Sequence, residues 1–254
     1  MDKISGRPGV RVDDELVLDA GSCEESVGVL EKYKRLRAVE VALCGTLDDM
    51  VTDAALNFVA RTLGLRDRGE ALYEHRDYSV LLELATYHHR LRGKTVVERF
   101  IEKTQPAVGT DEHLVLAAMI SSRFTLLRLG ETEPGVGVRV EDLLFGGDFF
   151  LADLQLSKGK KNVETVIATR LLAFDDFVMT PCTSYLDFDP ELARMMAASL
   201  PKESTVPMAE RYASAEAKSE LATDLTEMAL CSVESVREAL RERFAAGAEV
   251  SPSR

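Results

Sequence analysis

Two segments decide the fold: Phe124-Thr-Leu-Leu-Arg-Leu-Gly130 and Val163-Glu-Thr-Val-Ile-Ala-Thr-Arg-Leu-Leu-Ala-Phe174. Both mix β-branched and aromatic residues with leucine, which is typical of β-strands. Clusters of turn-forming residues interrupt the surrounding stretch, Arg123–Thr180, at Glu133–Gly137, Gly146–Gly147 and Ser157–Asn162. This pattern predicts four or five short antiparallel strands that close, or half close, into a small barrel.

Helical periodicity surrounds this stretch on both sides, so the predicted fold class is α+β. It consists of an N-terminal helical unit, a small antiparallel β-sheet or barrel, and C-terminal helices. The predicted segments are a mostly irregular N-terminal segment (1–22), a helical domain (23–122), the small β unit (123–187), a C-terminal helical segment (188–246) and a flexible tail (247–254).

Capping signals predict where several helices begin and end. Gly45 stands where a left-handed C-cap is expected and Thr46 has the properties of an N-cap, so two helices are predicted to meet there. Thr95 and Glu98 have the spacing of a capping box. Asp189 followed by Pro190 predicts the start of a helix after the β unit.

The charge balance excludes some classes of partner. The 254 residues carry a formal net charge of −12, which disfavours general binding to nucleic acid or to an anionic membrane. The sequence has no apolar run long enough for a transmembrane helix, and Met1–Pro8 lacks the apolar region of a secretory signal. We therefore expect a cytoplasmic protein.

The four cysteines lie far apart at positions 23, 44, 182 and 231, and none forms a Cys-x-x-Cys pair. This spacing predicts free thiols that act as small buried hydrophobes in a reducing compartment. The histidines do not have metal-ligand spacing either: His88 and His89 are adjacent on a helix and point about 100° apart. His88 falls on an apolar stripe, where a half-buried, hydrogen-bonded ring is expected. The sequence predicts no metal site and no cofactor.

The densest basic spot on this acidic chain is the loop that contains Lys158, Lys160 and Lys161. Together with Arg139 on a neighbouring strand, these lysines are the candidate ligand-binding residues, for a phosphate group or a nucleic-acid backbone. The other interpretation is a solvated hairpin turn whose lysines keep an edge strand from pairing with other chains. Both interpretations stay open at this point.

An amphipathic stripe near the C-terminus is the candidate partner-binding surface. Its members are Leu221, Leu225, Met228, Val236 and Leu240. No residue pattern indicates a catalytic site, so the favoured function is a protein-interaction or scaffold role, with a protein partner or self-association. Nucleic-acid or phosphate-ligand binding through the basic loop is the first alternative, and an enzyme of unrecognised type is the second.

Two blocks carry a resemblance to known proteins, Asp77–Phe100 and Phe124–Leu144. They resemble uncharacterised bacterial proteins of the kind that sometimes carry a SEC-C zinc motif, over about half of the chain. The cysteine cluster of that motif is absent here, so the resemblance implies no functional residue.

Overall fold

Seven helices and a closed β-barrel make up the part of the chain that the structure, a computed structural model, describes: residues 23–63, 66–67, 70–71, 75–158, 165–182, 185–199 and 214–230. The N-terminal elements are α1 (Cys23–Asp48), α2 (Asp53–Thr62), β1 (Arg66–Asp67), β2 (Glu70–Ala71), α3 (His75–Tyr87), α4 (Val96–Thr104) and α5 (Asp111–Ser121). The strands of the six-stranded sheet and the helices after them are β3 (Arg123–Glu133), β4 (Gly137–Asp142), β5 (Asp148–Ala152), β6 (Val166–Ala173), β7 (Val178–Met179), β8 (Leu186–Phe188), α6 (Pro190–Ser199) and α7 (Ala215–Leu230).

Five strands close the barrel in the order β3-β4-β5-β7-β6, because β6 also pairs with β3, and β8 pairs with β6 beside it. The predicted α+β fold with a small barrel is confirmed. One detail differs from the prediction: β5 and β7 run parallel, with Leu151 opposite Val178. β5 and β6 run in opposite directions, and β7 is antiparallel to β6. Therefore β7 runs in the same direction as β5.

Strict alternation along β6 separates the inside of the barrel from its outside. The inner side chains of four strands, β3 to β6, and of the 3-10 helix Leu156–Lys158 fill the barrel with leucine, isoleucine and valine. The members of this cluster are Leu127, Leu129, Val138, Val140, Leu151, Leu156, Ile167 and Leu171. The outward positions Val166, Ala168, Arg170 and Leu172 therefore face the helices.

The helices cover the barrel through two further apolar clusters. One joins α2, α3, α6 and α7 to the outward faces of β3, β6 and β8. The other joins α1, α4 and α5 to the ends of β5, β6 and β7. Among the helices in the described ranges, none is long and apolar enough to cross a membrane.

The first helix corrects the predicted break at Gly45 and Thr46, since α1 continues without interruption to Asp48. The hydroxyl of Thr46 donates to the Ala42 carbonyl 3.2 Å away, which is an interior helical contact and not a cap. The N-cap of the next helix is Thr52, whose side chain accepts from the backbone N–H of Ala55. A glycine in a helix interior costs only about 1 kcal/mol, so the packing of α1 overrides it.

The other two capping predictions are confirmed. Thr95 accepts from the backbone N–H of Glu98, and the Glu98 carboxylate accepts from the backbone N–H of Thr95. Asp189 accepts from the first-turn N–H groups of α6, which starts at Pro190. The first of these caps fixes one wall of the cavity described below.

Two glycine substitutions test the continuity of α1. A Cβ added at Gly45 or at Gly93 meets nothing within 4 Å, but only Gly93 has a left-handed φ, of +81°. Gly45→Ala is therefore expected to raise the free energy of unfolding by about 1 kcal/mol. Gly93→Ala is expected to lower it by about 1–2 kcal/mol. Urea denaturation of both variants measures these changes, and a destabilised Gly45→Ala protein would show that the helix ends at Gly45.

Candidate functional site

Arg170 is the buried centre of the candidate site. It lies on an outward position of β6, opposite Phe124 of β3 in the register, and its side chain is only 3% exposed. The guanidinium packs over the ring of Tyr87, with its carbon 4.0 Å from the ring centroid, and lies 5.8 Å from the ring of Phe124. A guanidinium always carries its charge, so a buried one requires acceptors around it.

Three side chains supply those acceptors. The Nε of Arg170 donates to Oε1 of Glu83 at 2.6 Å, and Nη1 donates to Oγ of Ser122 at 3.1 Å. Nη2 lies 2.6 Å from Nε2 of His88. Since arginine has no acceptor, Nε2 of His88 must accept, and the imidazole is therefore neutral with its proton on Nδ1.

Burial shifts the titration of the groups around Arg170. Burial raises the pKa of the Glu83 carboxyl, and the neighbouring Arg170 partly offsets this. Burial also holds the pKa of His88 well below its ordinary value, and the positive charges of Arg170, Arg90 and Lys218 add to that effect. Both shifts follow from one cause, the removal of charged groups from water.

A cavity of about 150 Å³ opens beside Arg170, where the ends of α3, α4 and α5 meet β6 and α7. Most of the charged side chains in the wall of this cavity are basic. The polar and charged residues along its wall include His88, Arg90, Glu98, Ser122, Arg170 and Lys218. None of them comes from the predicted basic loop.

Lys218 carries the unbalanced charge of this cavity. Glu83 neutralises Arg170, and Glu98 lies 3.1 Å from Arg90. Within the described ranges no carboxylate pairs with Lys218. Burial lowers the pKa of its ammonium group, and the guanidiniums of Arg170 and Arg123 lower it further.

Two helix N-termini border the same cavity. Thr95 at the start of α4 lies in the wall, and Lys218 lies in the first turn of α7, where Ser214 accepts from the N–H of Ala217. The N-terminal end of a helix carries a partial positive charge, which adds to the field of the basic side chains. Side chains and backbone therefore both favour a negative ligand.

The predicted basic residues lie elsewhere. Lys158 is exposed at the end of the short 3-10 helix Leu156–Lys158, and Arg139 is exposed on β4. Lys160 and Lys161 lie outside the described residues. Their role in ligand binding stays a prediction.

The predicted partner-binding stripe requires a correction. Leu221 and Leu225 are 8% and 0% exposed and belong to the apolar cluster between α7 and the barrel. These two side chains stabilise the chain's own core, so they do not offer a docking surface. The side chain of Met228, and residues Val236 and Leu240, lie outside the part of the chain that the structure describes.

Sequence analysis missed Arg170 and Glu83, although a signal was present. Arg170 is a lone charge in the apolar strand Val166–Ala173, and Glu83 is a lone charge among the buried positions of α3. A charge that replaces an apolar residue on a buried face needs an opposite charge nearby. Pairing such isolated charges across elements would have predicted this contact.

The buried ion pair gives a test of this geometry. Arg170→Met leaves the Glu83 carboxylate buried without its partner, so it is expected to lower the free energy of unfolding by about 3–5 kcal/mol. Adding Glu83→Met removes the orphaned charge, and the double variant is expected to be more stable than Arg170→Met alone.

Denaturant titrations of the single and double variants measure this coupling. Lys32→Met is the control, because the Lys32–Asp176 pair is partly exposed and is expected to contribute no more than about 1 kcal/mol. Strictly additive losses at Arg170 and Glu83 would contradict the buried pair.

The neutral His88 predicts a pH dependence of stability. The folded-state pKa lies below the unfolded value of 6.5, so the unfolded chain binds more protons as the pH falls below about 6.5. Stability should therefore decrease on acidification, by up to about 1.4 kcal/mol per pH unit from this group. His88→Gln keeps an acceptor for Arg170 but does not titrate, so it should flatten this decrease.

The control for this measurement is His89→Gln, because burial lowers the pKa of His89 to a smaller extent. Denaturation at a series of pH values between neutral and mildly acidic compares the three proteins. Equal acid dependence in the wild type and in His88→Gln would show that His88 is not held neutral.

Comparisons with known proteins leave the function open. No curated protein and no solved structure matches the chain. The resemblance to bacterial proteins with SEC-C motifs stays a prediction. A family model matches residues 28–212, which include Glu83, His88, Ser122 and Arg170 but not Lys218. This match spans most of the sequence, and the chain therefore belongs to a family of unknown function, DUF7986.

Proposed function

We propose that this protein binds a small anionic ligand, with a phosphate or carboxylate group, in the cavity beside Arg170. The observation that carries this proposal is the position of Lys218. Its ammonium group is half-buried next to Arg170 without a carboxylate partner among the described residues. An anion in the cavity would supply the missing counter-charge and accept hydrogen bonds from Lys218.

The size of the cavity limits the ligand. A cavity of about 150 Å³ in another protein holds a molecule the size of benzene. Inorganic phosphate or a small organic acid has a comparable size. Arg90 and Ile120 line the cavity and are exposed, so a longer ligand would extend past them towards solvent.

The hydrogen bonds around the cavity support binding more than reaction. The Ser122 hydroxyl donates to the Met119 carbonyl at 2.6 Å, so its proton is directed to the backbone. The Nε2 of His88 is occupied by Arg170. A serine nucleophile needs a free base within hydrogen-bond reach, and this arrangement does not supply one. An enzyme of unrecognised type therefore has less support than a ligand-binding protein.

The proposed ligand class is the one predicted from the sequence, but the proposed binding site is the cavity and not the basic loop. A phosphate-bearing ligand was one of the predictions for the basic loop, and the cavity supports the same ligand class through different residues. The cavity is too small for a nucleic-acid backbone to lie along it. The net charge of −12 also disfavours nucleic acid.

A protein-interaction or scaffold role in the cytoplasm is the second candidate function. One surface favours it: a shallow groove beside the turn between α4 and α5, where Val108 is 87% exposed. Ile101, Pro106 and His113 also line this groove. A protein partner or a second copy of the chain would cover this apolar surface.

Anion binding tests the first candidate directly. Inorganic phosphate and small dicarboxylates are titrated into the protein by calorimetry at constant ionic strength, and melting temperatures are followed in parallel. Saturable binding is expected for at least one anion. Lys218→Met should weaken that binding by about tenfold or more, because it removes the only unbalanced cation identified in the described part of the cavity wall.

Lys34→Met is the matched control. Lys34 is exposed on α1 and pairs with Glu31, so its loss changes the net charge equally but leaves the cavity intact. Equal affinities of Lys218→Met and Lys34→Met would contradict the proposal. So would a wild-type response to every anion no larger than the response to chloride.

A further inference from the structure

A second polar cluster joins two cysteines that are far apart in the sequence. Glu40 and Cys44 lie one turn apart on the same face of α1, and Cys182 follows β7. One oxygen of Glu40 and the two sulfur atoms all lie within 4.8 Å of one another. The cluster is separate from the anion cavity and shares none of its lining residues.

The Oε1 atom of Glu40 is the meeting point of this cluster. It accepts from the thiol of Cys44 at 3.1 Å and from the backbone N–H of Cys182 at 2.9 Å. Glu40 itself is 0% exposed, Cys44 is half-buried and Cys182 is exposed. The cluster therefore extends from the interior of the protein to its surface.

Neighbouring residues hold Glu40 in this orientation. Arg37 donates to the other oxygen, Oε2, at 3.1 Å. Arg37 also lies 4.0 Å from Asp153, whose carboxylate accepts from the hydroxyl of Thr180 at 2.5 Å. This chain of contacts leaves Oε1 directed at the two cysteines, which is how outer residues orient a metal-binding carboxylate.

We propose that Glu40, Cys44 and Cys182 bind a thiophilic divalent cation, with Zn²⁺ as the best match. Thiolate and carboxylate are both common zinc ligands, at about 2.3 Å and about 2.0–2.2 Å. Ligand atoms around a tetrahedral zinc ion then lie roughly 3.5–3.8 Å apart. Small side-chain rotations bring the three ligand atoms to that spacing.

The exposure of Cys182 predicts the kind of zinc site. Three protein ligands leave the fourth tetrahedral position to a water molecule. Because Cys182 is exposed, this fourth position faces solvent. On binding, each thiol loses its proton to solvent and its sulfur donates an electron pair to the cation. Two thiolates and one carboxylate give the zinc complex a charge of −1, and the guanidinium of Arg37 places a positive charge beside it.

The same proximity also permits a disulfide between Cys44 and Cys182, but Glu40 favours the cation. A disulfide would remove the thiol donor from a carboxylate that is fully buried, and it would use neither carboxylate oxygen. A cation instead uses all three ligand atoms.

Cobalt substitution tests the proposal. The full chain is reduced, freed of metal and titrated with Co²⁺, which gives a thiolate-to-cobalt charge-transfer band when cysteine sulfur binds it. One equivalent is expected to saturate the band, and Zn²⁺ should abolish it. Cys44→Ser and Cys182→Ser should each lose the band, and Glu40→Gln should weaken cobalt binding by about tenfold or more.

The two other cysteines give matched controls, since Cys23→Ser and Cys231→Ser should bind Co²⁺ like the wild type. Circular dichroism checks that each variant is folded. Cys182→Ser is decisive if Cys44→Ser does not fold, because Cys182 is exposed. A reduced wild type without the band, or a band that persists in Cys182→Ser, would overturn the proposal. A chain that takes no cobalt but forms a Cys44–Cys182 disulfide in air would identify a redox pair instead.

Discussion

The buried charge of Arg170 is the constraint on which the arrangement of helices around the barrel depends. An arginine on the outward face of β6 is tolerated only if acceptors are brought to it, and no single element can provide them all. Glu83 lies within α3, His88 directly follows that helix, and Ser122 follows α5. The guanidinium of Arg170 therefore constrains how α3 and α5 dock on the barrel. The cavity lies between the C-terminal ends of these two helices.

Tyr87 lies within electrostatic range of both Arg170 and the cluster of Glu40, Cys44 and Cys182. Its ring covers the guanidinium of Arg170, while burial and the negative charges of Glu83 and Glu40 hold the pKa of its hydroxyl well above the ordinary value. Two buried glutamates, one from α1 and one from α3, thus lie close to a single phenol. The described residues thus carry a basic cavity beside Arg170 and a separate cluster of carboxylate and sulfur groups at Glu40, Cys44 and Cys182.

The sequence predicted what depends on local pattern. The mixture of β-branched, aromatic and leucine residues in Phe124–Gly130 and Val163–Phe174, together with the turn clusters around them, was enough to predict the small barrel. The capping residues Thr95 and Asp189 marked true helix starts. The break at Gly45 was wrong because the packing of α1 outweighs one glycine. An apolar stripe looks the same whether it faces a partner or its own core, so Leu221 and Leu225 were misassigned. The proximity of Cys44 and Cys182 leaves no such signal, because neither cysteine interrupts a pattern in its own segment.

A buried, neutralised arginine and a lysine without a carboxylate partner among the described residues form the proposed cavity for an anion. A crystal structure of the protein grown with inorganic phosphate tests it most directly. Phosphate density is expected within about 3 Å of the Lys218 ammonium group, with Arg170 still paired to Glu83. A cavity that contains only water at saturating phosphate, or an Arg170 side chain turned away from Glu83, would contradict it.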